Sequence, residues 1–174
     1  MGDGQPARLQ RGLALRREVL GARHVDTALA AMTDFTRPIQ EYVTETCWGD
    51  VWTRTGLDRR TRSLVNLGML TALNRMTEFG VHVRGARRNG CTEEEIQEVL
   101  LQTAAYCGAP AALEAFRIAA KVLDEFRAET AAAHDGVAPD GAAADGAAAD
   151  GAAPDGAAAD GAAADGAGVA SPLS

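Results

Sequence analysis

Asp58-Arg59-Arg60-Thr61-Arg62-Ser63-Leu64-Val65-Asn66-Leu67-Gly68-Met69-Leu70-Thr71-Ala72-Leu73 opens on a carboxylate suited to capping a helix and turns apolar on almost every side from Leu64 onward. An Asp at that first position accepts from amides of the first turn that have no partner within the helix. Apolar character around the full circumference predicts a helix buried on most sides, so this segment is expected at the centre of the fold. Such a helix has to be covered by others, and the flanking sequence supplies them.

Downstream, a helix is predicted from about Arg75 to Arg88, ending at Asn89-Gly90. Thr92-Glu93-Glu94-Glu95 fits a capping box, in which the Thr92 hydroxyl and Glu95 carboxylate satisfy each other's backbone amides. Ile96, Val99, Leu100, Thr103, Ala104 and Cys107 then share one face. After Gly108-Ala109-Pro110 a last helix is written by Leu113, Phe116, Ala119, Ala120, Leu123 and Phe126. Upstream, a helix from Leu9 to Leu20 stops at Gly21, a residue suited to a left-handed terminus. Asp26 to Met32 reads as a short helix. Asp34 offers the N-cap of another, through Phe35, Ile39, Tyr42, Val43, Thr46 and Cys47. Trp48-Gly49-Asp50-Val51-Trp52 follows, and then a turn from Thr53 to Gly56. No alternating strand pattern of useful length occurs, so the predicted class is all-α.

Residues 1–8 are predicted to be a disordered N-terminus, 9–130 the folded domain, and 131–174 a disordered tail of Ala, Gly and Asp. The tail repeats a five-residue unit from Asp135, usually Asp-Gly-Ala-Ala-Ala, without the ligand spacing of an EF-hand calcium loop. Its seven aspartates account for the net charge of −7, since setting them aside leaves 17 acidic residues against 17 basic ones. A balanced domain offers no footprint for nucleic acid. Cys47, Cys91 and Cys107 are odd in number and form no Cys-x-x-Cys, which points away from a disulfide framework or a zinc site. The N-terminal bases Arg8, Arg11, Arg16 and Arg17 precede no signal-peptide core, and no run reaches membrane-spanning length, so a cytoplasmic protein without membrane contact is expected.

Of the three histidines, His82 is the informative one. It stands four residues after Glu78 and seven after Arg75, so the three project from neighbouring parts of one helical face, beside Phe79 and Ala86. A His next to a carboxylate at an apolar boundary suits proton transfer near neutrality. The same spacing also describes a surface salt-bridge ladder. Arg59, Arg60 and Arg62 surround a helix start, where they either bind a carboxylate or form a solvated first turn. Trp48 and Trp52 read as a packing ridge or a ligand wall, and Cys107 as a small buried hydrophobe.

From Arg17 to Leu123 the chain resembles the carboxymuconolactone decarboxylase family. The resemblance is carried by Phe35-Thr36-Arg37-Pro38, Trp48-Gly49-Asp50-Val51-Trp52, Gly56-Leu57-Asp58-Arg59-Arg60-Thr61-Arg62-Ser63-Leu64, Ala72-Leu73-Asn74-Arg75, Glu78-Phe79-Gly80-Val81-His82-Val83-Arg84, Asn89-Gly90-Cys91-Thr92 and Tyr106-Cys107-Gly108-Ala109-Pro110. It implies an alkylhydroperoxidase D-like helical bundle assembled as a homo-oligomer, a trimer or hexamer. The implied reaction is decarboxylation of 4-carboxymuconolactone to the β-ketoadipate enol-lactone in protocatechuate catabolism, without metal or organic cofactor. Peroxidase relatives carry Cys-x-x-Cys-x-x-x-His where this chain has Arg75, Glu78 and His82, and a relay Glu where it has Ser63. The His is kept and both thiols are lost, which argues against dithiol peroxidase chemistry.

The partner implied is a small lactone carboxylate. His82, oriented by Glu78, is expected to donate a proton to carbon; Arg75, Arg62 and Arg37 to bind carboxylate or oxyanion; and Trp48 or Trp52 to wall the site. Two alternatives stay open: a redox function through Cys107 or Cys91 acting singly, and a catalytically silent anion-binding protein of the same fold.

Overall fold

The computed structural model describes residues 4–134, and these form seven α-helices and one π-helix with no strand. The chain is all-α, as its periodicity predicts. The expectations for residues 1–3 and for the repeats from Asp135 lie outside the described residues.

Helix α1 (Gln5–Leu20) begins a turn earlier than Leu9, with Pro6 in its first turn, and ends at Gly21, whose φ is +96°. Helix α2 (Ala22–Ala30) follows directly and carries His24, which the sequence reading puts in a connection. Helix α3 (Arg37–Val43) runs into a π-helix (Thr44–Val51), a further departure from what the spacing predicts. Asp34 caps nothing there; it pairs with Arg37 at 3.4 Å. Phe35, Ile39 and Tyr42 stand exposed, while Gln40 and Thr44 are buried. This inversion has a physical cause. Arg16 of α1 is wholly buried, and its Nη1 donates to Gln40 Oε1 at 3.0 Å and Thr44 Oγ1 at 3.2 Å. A buried guanidinium needs acceptors, so α3 turns its polar residues inward.

Helix α4 (Arg59–Ala72) is capped by Asp58, which accepts from the Thr61 amide at 2.6 Å. Helix α5 (Met76–Arg88) ends before Asn89 and Gly90, the latter at φ +84°. Helix α6 (Glu93–Cys107) carries the complete capping box: Glu95 accepts from the Thr92 amide at 2.9 Å, and Thr92 from the Glu95 amide at 3.2 Å. Helix α7 (Ala109–His134) starts at Ala109 and continues past residue 130, so the first residues assigned to the tail are helical.

The core has two lobes. One is built by Leu67, Phe79, Val83, Ala86, Ile96, Leu100, Ala115 and their neighbours on α4 to α7. The other joins Leu15, Val19, Leu20, Val25 and Trp48 from α1, α2 and the π-helix, with Val81 of α5 packed against it. Helix α4 contacts α5, α6 and α7, and α5 contacts α1, α4 and α7, so α4 is central to one lobe and α5 joins the two. Only the Ser63, Leu67 and Thr71 face of α4 is closed; Val65, Met69 and Leu73 are 49%, 51% and 68% exposed. The orientation is set by polar contacts along one edge of α4. The Cys91 thiol donates to the Arg60 carbonyl, Asn89 Nδ2 to Ser63 Oγ at 2.9 Å, and Asn66 meets His82 at 3.0 Å. Apolarity all round shows that a helix wants cover, without showing which neighbours provide it.

Candidate active site

His82 is half-buried on α5, where the two lobes meet. Two tryptophans lie against its ring. The Trp48 ring is parallel to it within 2° at a centroid distance of 6.1 Å, and Trp52 lies 6.5 Å away at 29°. The tryptophans are themselves 4.8 Å apart. Trp48 is buried and belongs to the core, and Trp52 is half-exposed, so the pair acts as packing ridge and wall at once.

The π-helix delivers them. Its wider turn re-aims the residues that follow it, as such turns do at many functional sites. It also lies directly on α1: a Cβ on Gly12 would sit 2.1 Å from the Thr44 carbonyl oxygen, and one on Gly49 2.6 Å from that of Arg8. Two glycines far apart in sequence therefore permit a backbone-to-backbone approach that seats Trp48 beside His82.

The second edge of the imidazole is polar. Asn66 Nδ2 of α4 lies 3.0 Å from His82 Nδ1. Asn66 escaped the sequence reading, although it and Thr71 are the uncharged polar side chains in Leu64–Leu73, and that signal marks it. Glu78 is half-buried one turn before His82 on the same helix. Arg75 is the exposed N-cap residue of α5; its amide donates to the Leu70 carbonyl and its carbonyl accepts from Phe79, both at 2.9 Å.

The other two arginines are engaged elsewhere. Arg37 meets Asp34, and Arg62 Nη2 donates to the Arg54 carbonyl at 3.1 Å. Among the described residues neither shows a contact with the His82 cluster. Trp52 links that cluster to a cleft of about 590 Å³, whose walls include Arg11, Arg54, Leu57 and Arg59. The cleft does not reach His82 itself. Arg59 is paired there with Glu18 at 2.6 Å and Arg11 Nε donates to the Gly49 carbonyl at 3.4 Å, while Arg54 adds positive charge that the sequence reading passed over.

Cys91 and Cys107 do not form part of this arrangement. Cys91 is buried, its thiol donates to the Arg60 carbonyl, and burial pushes its pKa up, which disfavours the reactive thiolate. Cys107 is exposed, contrary to its expected burial, because the end of α6 borders the open groove beside α4. Among the described residues no three His, Cys, Asp or Glu side chains converge as a metal-holding group. No described helix is long and apolar enough to cross a membrane.

An all-helical bundle that presents one half-buried His against two tryptophans and an amide has the parts for proton transfer. Residues 37–121 match the carboxymuconolactone decarboxylase family. A nitrosuccinic acid decarboxylase of Metarhizium robertsii is 46% identical over 114 residues, 66% of this chain and 80% of that protein. A 4-carboxymuconolactone decarboxylase of Acinetobacter baylyi is 40% identical over 125 residues, 72% of this chain and 92% of its own. An uncharacterized 15.0 kDa protein of Paracoccus denitrificans is 32% identical over 99 residues, 56% of this chain and 74% of that protein. The chain belongs to the carboxymuconolactone decarboxylase family.

Proposed function

We propose that this protein is a carboxy-lyase acting on 4-carboxymuconolactone, forming the β-ketoadipate enol-lactone of protocatechuate catabolism. The observation that carries the reading is His82 stacked on Trp48 and hydrogen-bonded at Nδ1, in a chain 40% identical to a decarboxylase of that substrate. Heterolysis of the bond to the departing CO2 leaves an electron pair, which the conjugated lactone carbonyl accepts as a dienolate. His82 then gives a proton to carbon. Glu78 helps orient it, and Arg75 holds a carboxylate or the developing oxyanion. The sink belongs to the substrate, so neither metal nor organic cofactor is invoked.

The remaining carboxylate is assigned to the basic wall of the cleft beyond Trp52, where Arg54 and Arg59 stand, with Arg37 and Arg62 as the alternatives that the resemblance offers. Partial desolvation by Trp48 and Trp52 favours loss of the scissile carboxylate over its retention.

The 46% identity to a nitrosuccinic acid decarboxylase favours a second reading. That acid also loses CO2 from a carbon bearing an electron sink, here a nitro group that accepts the pair as a nitronate, and it too keeps a second carboxylate. The same residues serve either acid.

The protein is further proposed to be a cytoplasmic homo-oligomer, with the exposed stripe Val65, Met69 and Leu73 of α4 covered by a second copy. The test of function is CO2 release from each acid in parallel, with His82→Ala beside the native protein. Turnover of one acid, reduced about 10²- to 10⁴-fold in the variant, supports the reading. Native protein inactive on both, or a variant as fast as native, rejects it.

A further inference from the structure

We propose that Asn66 is the positioning residue of this site: its amide fixes which nitrogen of His82 carries the transferable proton. The proposal rests on reading His82 as the proton-transfer group.

Stacking on Trp48 holds the plane of the imidazole but leaves an ambiguity. A half-turn about the Cβ–Cγ bond returns the ring to the same plane with Nδ1 and Cδ2 exchanged. Two parallel aromatic faces do not distinguish these orientations. Asn66 Nδ2, 3.0 Å from Nδ1, does, because a C–H at that position would leave the half-buried amide without its acceptor.

The bond also selects the tautomer. An amide N–H donates, so Nδ1 accepts with its lone pair and the proton of the neutral ring resides on Nε2. When the ring becomes imidazolium, Nδ1 becomes a donor, and rotation of the same amide offers Oδ1 to it. An amide therefore serves both protonation states: in the imidazolium Oδ1 retains the proton on Nδ1 while the proton on Nε2 leaves for carbon, and the amide turns back to donate when the ring returns to its resting tautomer. A carboxylate at this position would instead draw the proton of the neutral ring to Nδ1, and an apolar side chain would express no preference.

The amide is itself held in place. One turn earlier on α4, Ser63 Oγ accepts from Asn89 Nδ2 at 2.9 Å, and Arg60 accepts from the Cys91 thiol, so the contacts of this edge of α4 lock its register against α5. Asn66 thus reaches His82 from a clamped backbone.

The decisive measurement is nitrogen-15 NMR of the full chain labelled at histidine, without substrate, at a pH where the rings are neutral. Three histidines are present, and His82→Ala identifies the relevant signals by subtraction. Native protein is expected to show His82 with a bare Nδ1 and a protonated Nε2. Asn66→Asp is expected to move the proton to Nδ1, and Asn66→Leu to give a mixture. In parallel, kcat of Asn66→Leu should fall about 10- to 100-fold, the range seen when an orienting partner is removed, with KM nearly unchanged. A native ring protonated on Nδ1 overturns the proposal, and so does an unchanged tautomer in both folded variants. The native spectrum alone decides the first point even if a variant fails to fold. Expected spectra without decarboxylation of either acid would leave the positioning intact and reject the reading of function.

Discussion

Arg16 belongs by composition to a basic N-terminal segment and by structure to the interior. Its guanidinium, fully buried, spends its Nη1 on Gln40 and Thr44 and so joins α1 to the helix that leads into the π-helix. Arg16→Ala would remove those two hydrogen bonds and a packed stem. A loss on the order of 3 kcal/mol is expected, seen as a lower urea midpoint at unchanged m-value. Lys should not restore it, because a single ammonium lacks the planar fork of the guanidinium. Asp58 makes the opposite case, an exposed residue with a local role. Hydrogen bonds from Thr61 hold its carboxyl below its ordinary pKa. A carboxyl with a depressed folded pKa stabilises the protein above its unfolded pKa of about 3.9, and that contribution disappears as pH falls through the folded value. Asp58→Ala is therefore expected to lower the melting temperature at pH 7, with the gap to native closing in acid. For Asp58→Asn, which caps without titrating, native should lose its advantage only over the same acid range. A gap for Asp58→Ala that stays constant with pH would contradict the capping account.

At the scale of elements, the π-helix and α1 are the pair on which the site depends. Gly12→Ala places a methyl 2.1 Å from the Thr44 carbonyl oxygen, against backbone rather than a flexible side chain. The two segments must separate, at a cost of roughly 1–3 kcal/mol by the usual scale of overpacking. Because Trp48 rides on the displaced segment, the tryptophan emission should shift to the red and turnover should fall together. A destabilised Gly12→Ala protein with unaltered emission and activity would show that the approach does not seat the tryptophan. What was legible in the sequence follows the same division. The Asp58 cap, the Thr92–Glu95 capping box and the Gly21 stop are local chemistry, written within four residues, and each is found as read. The π-helix is a product of tertiary contact: Gly12 and Gly49 mean nothing until α1 and the segment after α3 are laid together. His82 was legible through its resemblance and its helical spacing. Asn66, sixteen residues away on another helix, acquires its meaning only when α4 is rotated against α5.

For the molecule as a whole, the unresolved demand is the cover of α4. Its apolar circumference predicted burial, yet a single copy closes only one face, and the open one continues into a groove bordered by Val99, Tyr106 and Cys107 of α6. Val65, Met69 and Leu73 recur every four residues, so they form one ridge along the helix. Fully burying such side chains stabilises by about 1.5–3 kcal/mol each, and a ridge repeated on a second copy doubles the gain. The self-association proposed above, if it runs through this face, would supply the cover that the sequence asks for. Met69→Glu places a charge at the middle of the ridge and should lower the mass measured by light scattering from an oligomer to a single chain. His82 and Asn66 project from the α4–α5 contact rather than from this ridge, so the NMR signature of their hydrogen bond should survive in the variant even where turnover falls. Native protein that scatters as one chain at micromolar concentration, or a Met69→Glu protein that remains assembled, would place the association elsewhere or remove it.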